Sequence, residues 1–199
     1  MKHRVGILLF DDVEMLDLAG PFEVFASAQI HGKACFEVVT FGVTSHPVFV
    51  FGGIKLLPNL SVKTKTPLNL VIVPGGYGVH KIKNNPKVQE WINYHYERGT
   101  RIASVCTGSF LLAEMGYLKG LQATTHHLDI ADFQYQYPEI QVVSGVRFVD
   151  QGQIITSAGI SAGIDMSLYL VQQIYGRNLA ELCIKRMEWN GNFQIRGKP

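Results

Sequence analysis

Cys106 stands in Ser104-Val105-Cys106-Thr107-Gly108, after an apolar run and before a helix-like one. Small residues on both sides permit a sharp strand-to-helix turn, which is a nucleophile elbow written with cysteine. A free thiol of pKa about 8.5 is only roughly 3% thiolate at neutral pH, whereas the free N–H groups of a helix N-terminus favour the anion. The placement predicts an unusually acidic Cys106. The competing reading is a buried structural thiol, the commonest fate of free cysteine. It suits Cys35, inside an apolar strand, and Cys183, on an amphipathic helix.

Other groups could serve such a thiol. Pro74-Gly75-Gly76 can bring backbone N–H groups close to a ligand, and with the N–H of Thr107 it could form an oxyanion hole. Asp17 is a lone acid among Met15, Leu16, Leu18 and Ala19. Either it caps a helix restarting at Pro21 or it faces a dry pocket, where a raised pKa would suit it to move protons. His126 or His127 could act as base, although single histidines are more often surface or hydrogen-bonded core residues. Neither Gly-x-Gly-x-x-Gly nor a Walker pattern occurs, which disfavours a dinucleotide or phosphate site.

The elements that would position these residues follow from hydrophobic periodicity. Val5 to Phe10, Phe36 to Phe41, Leu70 to Val73 and Arg101 to Val105 read as strands, the near-continuous apolar ones buried on both faces. Helices are predicted over Glu14 to Ala28 (interrupted or kinked at Gly20-Pro21), Pro86 to Arg98, and Thr107 to Tyr117, the last ended by Gly116 or Gly120. Val48 to Leu57 reads as a hairpin around Gly52-Gly53, and Pro74 to Gly78 as a loop. A short helix near Leu128 to Tyr135, a hairpin from Gln141 to Ser157 turning at Asp150-Gln151-Gly152, and helices Ala162 to Tyr175 and Asn178 to Trp189 complete the chain. The alternation predicts a three-layer α/β fold, a doubly wound, mostly parallel, flavodoxin-like sheet with helices on both faces. Ligands bind beyond the carboxyl ends of such strands, so the segments to inspect are Asp11 to Asp17, Pro74 to Gly78, Cys106 to Ser109 and Ser157 to Ser161.

At 199 residues and 47% hydrophobic, the chain can bury one sizeable core, so a single domain over 1–199 is expected. The formal charge of +2 is spread out, and its densest basic stretch, Lys81 to Lys87, is broken by Asn84, Asn85 and Pro86; no nucleic-acid partner is expected. Three cysteines without a Cys-x-x-Cys pair indicate neither a disulfide framework nor zinc, and nucleophilic chemistry at Cys106 needs no metal or organic cofactor, so none is expected. The first apolar run is too short for a signal sequence and no stretch approaches a membrane span, so a cytoplasmic protein without membrane contact is expected.

Five segments carry a resemblance to the ThiJ/PfpI superfamily, which has the class I glutamine amidotransferase-like fold. They are Leu16-Asp17-Leu18-Ala19-Gly20-Pro21-Phe22-Glu23-Val24-Phe25, Val73-Pro74-Gly75-Gly76-Tyr77-Gly78, Ser104-Val105-Cys106-Thr107-Gly108-Ser109, Ala123-Thr124-Thr125-His126 and Ser161-Ala162-Gly163-Ile164-Asp165. The resemblance runs almost end to end and is nearest to the isonitrile hydratase branch, which is also found fused to helix-turn-helix domains in AraC-type regulators. It implies Cys106 as nucleophile, Asp17 as acid and base, Thr107 as a supporting hydroxyl and N–H donor, and Gly76 as an oxyanion-hole donor. The implied reaction is hydration of a small-molecule isonitrile to an N-substituted formamide through a Cys106 thioimidate. Another thiol chemistry (amidase-like, protease-like or glyoxalase-like) and a non-catalytic ligand or redox sensor are the alternatives. The resemblance also implies a homodimer, and the end at Pro199 leads us to expect no fused DNA-binding domain. Two departures bear on the substrate: His127 replaces the tryptophan usual in the branch, and Glu188-Trp189-Asn190-Gly191-Asn192 replaces a proline-rich end after Glu-Tyr.

Overall fold

The computed structural model describes residues 2–190. Its central sheet consists of β1 (His3–Leu9), β2 (Phe36–Gly42), β3 (Leu60–Ser61), β4 (Leu70–Val73), β5 (Arg101–Val105), β6 (Phe148–Gln151) and β7 (Ile154–Ser157). The spatial order is β6-β7-β5-β4-β1-β2-β3, parallel throughout except for β6, which pairs antiparallel with β7. The helices are α1 (Met15–Ser27), α2 (Val79–Ile82), α3 (Pro86–Tyr96), α4 (Gly108–Glu114), α5 (Ile130–Gln136), α6 (Ala162–Tyr175) and α7 (Arg177–Arg186).

The apolar strands serve two cores because successive side chains point to opposite faces. Val5, Ile7 and Leu9 of β1, with Leu70 and Ile72 of β4, pack with Leu18, Phe25, Met166, Leu168 and Leu179 of α1, α6 and α7. Leu8, Val71 and Val73 face the other way, against Val88, Trp91, Ile92, Phe110 and Phe133 of α3, α4 and α5. The mostly parallel α/β sandwich predicted from the sequence is therefore the observed fold. None of the described helices is long and apolar enough to cross a membrane.

Besides short elements such as α2 and β3 that the sequence pattern does not show, three segments differ from the sequence expectation. Gly20-Pro21 does not interrupt α1: Pro21 lies inside a continuous helix, where burial of Leu18, Val24 and Phe25 offsets the hydrogen bond proline cannot donate. The expected hairpin from Gln141 to Ser157 is confined to β6 and β7, because Gln141–Val142 instead pairs parallel with Gln122–Ala123 outside the main sheet. Helix α4 begins at Gly108 and stops at Glu114, with Thr107 as its N-cap residue. Gly191 and Asn192 of the atypical C-terminal segment lie outside the described residues.

Candidate active site

The loops that follow β1, β4, β5 and β7 meet at the carboxyl ends of four adjacent strands and enclose a cavity of about 290 Å³. Cys106, the residue after β5, lies on its wall with a backbone φ of 57°. A left-handed conformation costs a non-glycine residue about 1–2 kcal/mol, so the surroundings must hold it. They do so through its backbone. The N–H donates to the carbonyls of Ser157 (3.1 Å) and Ala158 (3.3 Å), and the carbonyl accepts from the hydroxyls of Thr125 and Ser109 at 3.1 Å each. The expected elbow is present.

Asp17, in the first turn of α1, is completely buried. Its Oδ2 accepts the Gly75 N–H at 3.0 Å, while Oδ1 has no hydrogen-bond partner among the described residues. Burial pushes its pKa up to about 7, and the nearby Glu14 charge adds to the rise; the Gly75 N–H, the Cys106 thiol and the Ile160 N–H partly offset it. A side-chain cap role for Asp17 is not seen: Glu14 holds the N-cap position, without a side-chain hydrogen bond.

The acidic Cys106 thiol expected from the helix N-terminus is overturned. Burial pushes the thiol up, the charge on Asp17 adds to this, and the Thr107 N–H opposes it without prevailing. Only seven residues of helix follow, and the thiol is out of water, so desolvation outweighs the helix dipole. Asp17 and Cys106 therefore titrate as a pair: one proton leaves near pH 7 and the second is retained well above it. Above neutrality the pair keeps one proton, which rests on the Cys106 thiol because its pKa is pushed well above that of Asp17.

Thr107 and Gly76 are coupled. The Gly76 N–H donates to Thr107 Oγ1 at 2.9 Å, and that hydroxyl donates back to the Gly76 carbonyl at 3.3 Å. The N–H expected to serve an oxyanion hole is thus already engaged, a consequence of the Thr107 side chain that the loop sequence does not reveal. Gly75 is required by close approach: a Cβ there would lie 2.7–2.8 Å from Thr107 N, Thr107 Oγ1 and Asp17 Oδ2.

His126 lines the cavity, but among the described residues no hydrogen bond joins it to the Cys106 thiol. Its Nδ1 accepts from the Leu128 N–H at 3.4 Å and lies 3.3 Å from Asp129 Oδ2. His127 packs against it, with ring centroids 4.4 Å apart, and points to solvent. Glu14 and Asp129 were not singled out in the sequence, yet both line the cavity. Glu14 lay within the segment after β1 marked for inspection, but only its backbone N–H, bonded to the Gly75 carbonyl at 2.9 Å, shows how it is turned there. Phe51, Tyr77, Leu128 and Ile160 give the cavity an apolar rim, and among the described residues no Lys or Arg lines it. Such a site can add a thiolate to an electrophilic carbon, deliver a proton beside it, and disfavour anions.

A family model described as the DJ-1/PfpI family matches residues 3–173. The isonitrile hydratase of Pseudomonas putida is 32% identical over 197 residues, covering 95% of this chain and 79% of that protein. The HTH-type transcriptional regulator GbdR of Pseudomonas aeruginosa is 28% identical over 179 residues, covering 89% of this chain and 48% of the regulator. A crystal structure of a ThiJ/PfpI family protein from Pseudomonas syringae superposes with a TM-score of 0.85 at 25% identity, covering 96% of this chain and 76% of that one.

Proposed function

The chain belongs to the DJ-1/PfpI family, and on that premise we propose that it hydrates apolar isonitriles to N-substituted formamides, with Cys106 as nucleophile and Asp17 as acid and base. The observation that carries this reading is a buried carboxyl, one oxygen unpartnered, beside a thiol at a strained elbow. An isonitrile accepts its nucleophile and its proton at the same terminal carbon, so the two donors must be adjacent, as these are. Amide hydrolysis instead builds charge on an oxygen and calls for free N–H donors. The Gly76 N–H is taken by Thr107, which favours the isonitrile.

The steps balance as follows. The proton of the pair passes from Cys106 Sγ to Asp17 as Sγ bonds to the terminal carbon of R–NC, and Asp17 delivers it to that carbon, giving the thioimidate R–N=CH–S–Cys106 and an Asp17 carboxylate. Water adds across C=N, its hydroxyl to carbon and a proton to nitrogen. The C–S bond then breaks as C=O forms, the departing hydroxyl proton passes to Asp17, and R–NH–CHO leaves with the pair restored. Thr107 Oγ1 and Asp17 are the groups placed to orient the water. His126 shapes the cavity wall in this scheme and takes no proton.

The electrostatics of the cavity predict the choice of substrate. Glu14 and Asp129, with no Lys or Arg among the described lining residues, disfavour anions, while the Phe51, Tyr77, Leu128 and Ile160 rim favours alkyl or aryl groups. Incubation with cyclohexyl isocyanide should yield the formamide, with kcat/KM roughly tenfold or more above that for a carboxylate-bearing isonitrile of similar size. Absence of formamide across several apolar isonitriles would overturn the assignment. We further propose that the chain acts as a cytoplasmic homodimer without a bound cofactor, as the family resemblance leads one to expect.

A further inference from the structure

The segment Ser161-Ala162-Gly163-Ile164-Asp165 has no part in the chemistry above, and its acid is engaged elsewhere. Asp165, in the first turn of α6, accepts from Arg147 Nε through Oδ2 at 2.6 Å and from Trp189 Nε1 through Oδ1 at 3.1 Å. The same guanidinium donates through Nη2 to Ser161 Oγ at 3.1 Å, and the Arg147 carbonyl accepts the Ala158 N–H at 2.9 Å. Arg147 therefore holds both ends of the loop 158–161 from outside.

The inner side of that loop touches the reactive groups. The carbonyls of Ser157 and Ala158 take the Cys106 N–H. Gly159 lies flat against the His126 ring, where a Cβ would collide with Cδ2. Ile160 lines the cavity with a φ of 55°, a genuine outlier for a β-branched side chain, and such a conformation persists only where neighbours impose it. Its N–H faces Asp17.

We infer that Arg147 and Asp165 are positioning residues that brace the 158–161 loop against the Cys106–Asp17 pair and keep water from Asp17. The inference rests on that pair being the reactive one. The groups facing Asp17 are Glu14 at the start of α1, Cys106 after β5, the Gly75 N–H after β4 and the Ile160 N–H after β7; Asp129 adds its charge at Cys106. Burial is the largest of the influences on Asp17, so loosening the loop should lower the pH at which the pair loses its first proton.

Alkylation of Cys106 by iodoacetamide, followed peptide by peptide across pH, reads that point without any isonitrile. In the native chain the rate should rise through a midpoint near 7. In Arg147→Met and in Asp165→Asn the midpoint should fall by about one pH unit or more, and the double variant should fall no further, since both act through one brace. Ser161→Ala, which removes only one bond to the guanidinium, should shift it the same way by less and keeps the test open should the other variants not fold. An unchanged midpoint, with or without a lowered Tm, or additive shifts in the double variant, would overturn the brace. A native profile with no midpoint near 7 would overturn the coupled pair and this role with it, whereas failure to make formamide alongside the expected shifts would overturn only the substrate.

Discussion

Cys106→Ala reduces formamide production to the uncatalysed rate, a loss on the order of 10⁵–10⁶-fold, while its Tm stays close to that of the native chain. The two halves of this expectation have different causes. Without Sγ no thioimidate forms, and among the described residues no other thiol lines the cavity. The fold, by contrast, uses Cys106 through its backbone: the bonds to Ser157, Ala158, Thr125 and Ser109 involve only its N–H and carbonyl. Alanine keeps those bonds and the same Cβ at φ 57°, so it neither relieves nor adds strain. Formamide yield and a thermal melt on one preparation check both halves. Activity surviving in the alanine variant would exclude covalent catalysis at this position.

Asp17→Asn lowers turnover by about 10²–10⁴-fold, the usual worth of a proton-transfer group. Asparagine can still accept the Gly75 N–H, so the loop after β4 stays in place. Stability should move the other way and depend on pH. Asp17 ionises near 3.8 when unfolded and near 7 when folded. Below about pH 4 both states hold the proton and burial of the acid is not penalised. As pH rises from 4 to 7 the unfolded chain ionises first, stability is lost, and above 7 the loss is constant at up to about 4 kcal/mol. The Asn variant should therefore melt above the native chain at pH 8 and by a smaller margin at pH 5. Full activity in the Asn variant would return Asp17 to a structural role, and a lower Tm at pH 8 would show that its charge is stabilised in the fold.

The sheet was legible because β4 and the greater part of β1 are buried on both faces and read as near-continuous apolar runs, with β5 a shorter and more polar one between turn signals. Cys106 and Asp17 were legible for a related reason: each is chemically out of place in its local sequence. Leu60–Ser61 and Gln122–Ala123, at two residues each, are too short to show a period. The state of the thiol was not legible, because it is set by desolvation and by an acid 89 positions away in the chain. Engagement of the Gly76 N–H depends on the Thr107 rotamer, and the Arg147–Asp165 pair on the residue before β6 meeting the first turn of α6 beside one loop. Local pattern reports which residues are unusual; burial decides what charge they carry.

During turnover Cys106 becomes covalently bonded to the isonitrile carbon. Acid quenching of the native chain during turnover of cyclohexyl isocyanide, followed by mass analysis of its peptides, tests this directly. The Cys106 peptide alone should gain the mass of one isonitrile, the adduct should decay to formamide when substrate is exhausted, and Cys35 and Cys183 should stay unmodified. Formamide accumulating with no adduct on Cys106, and at the same rate in Cys106→Ala, would contradict it.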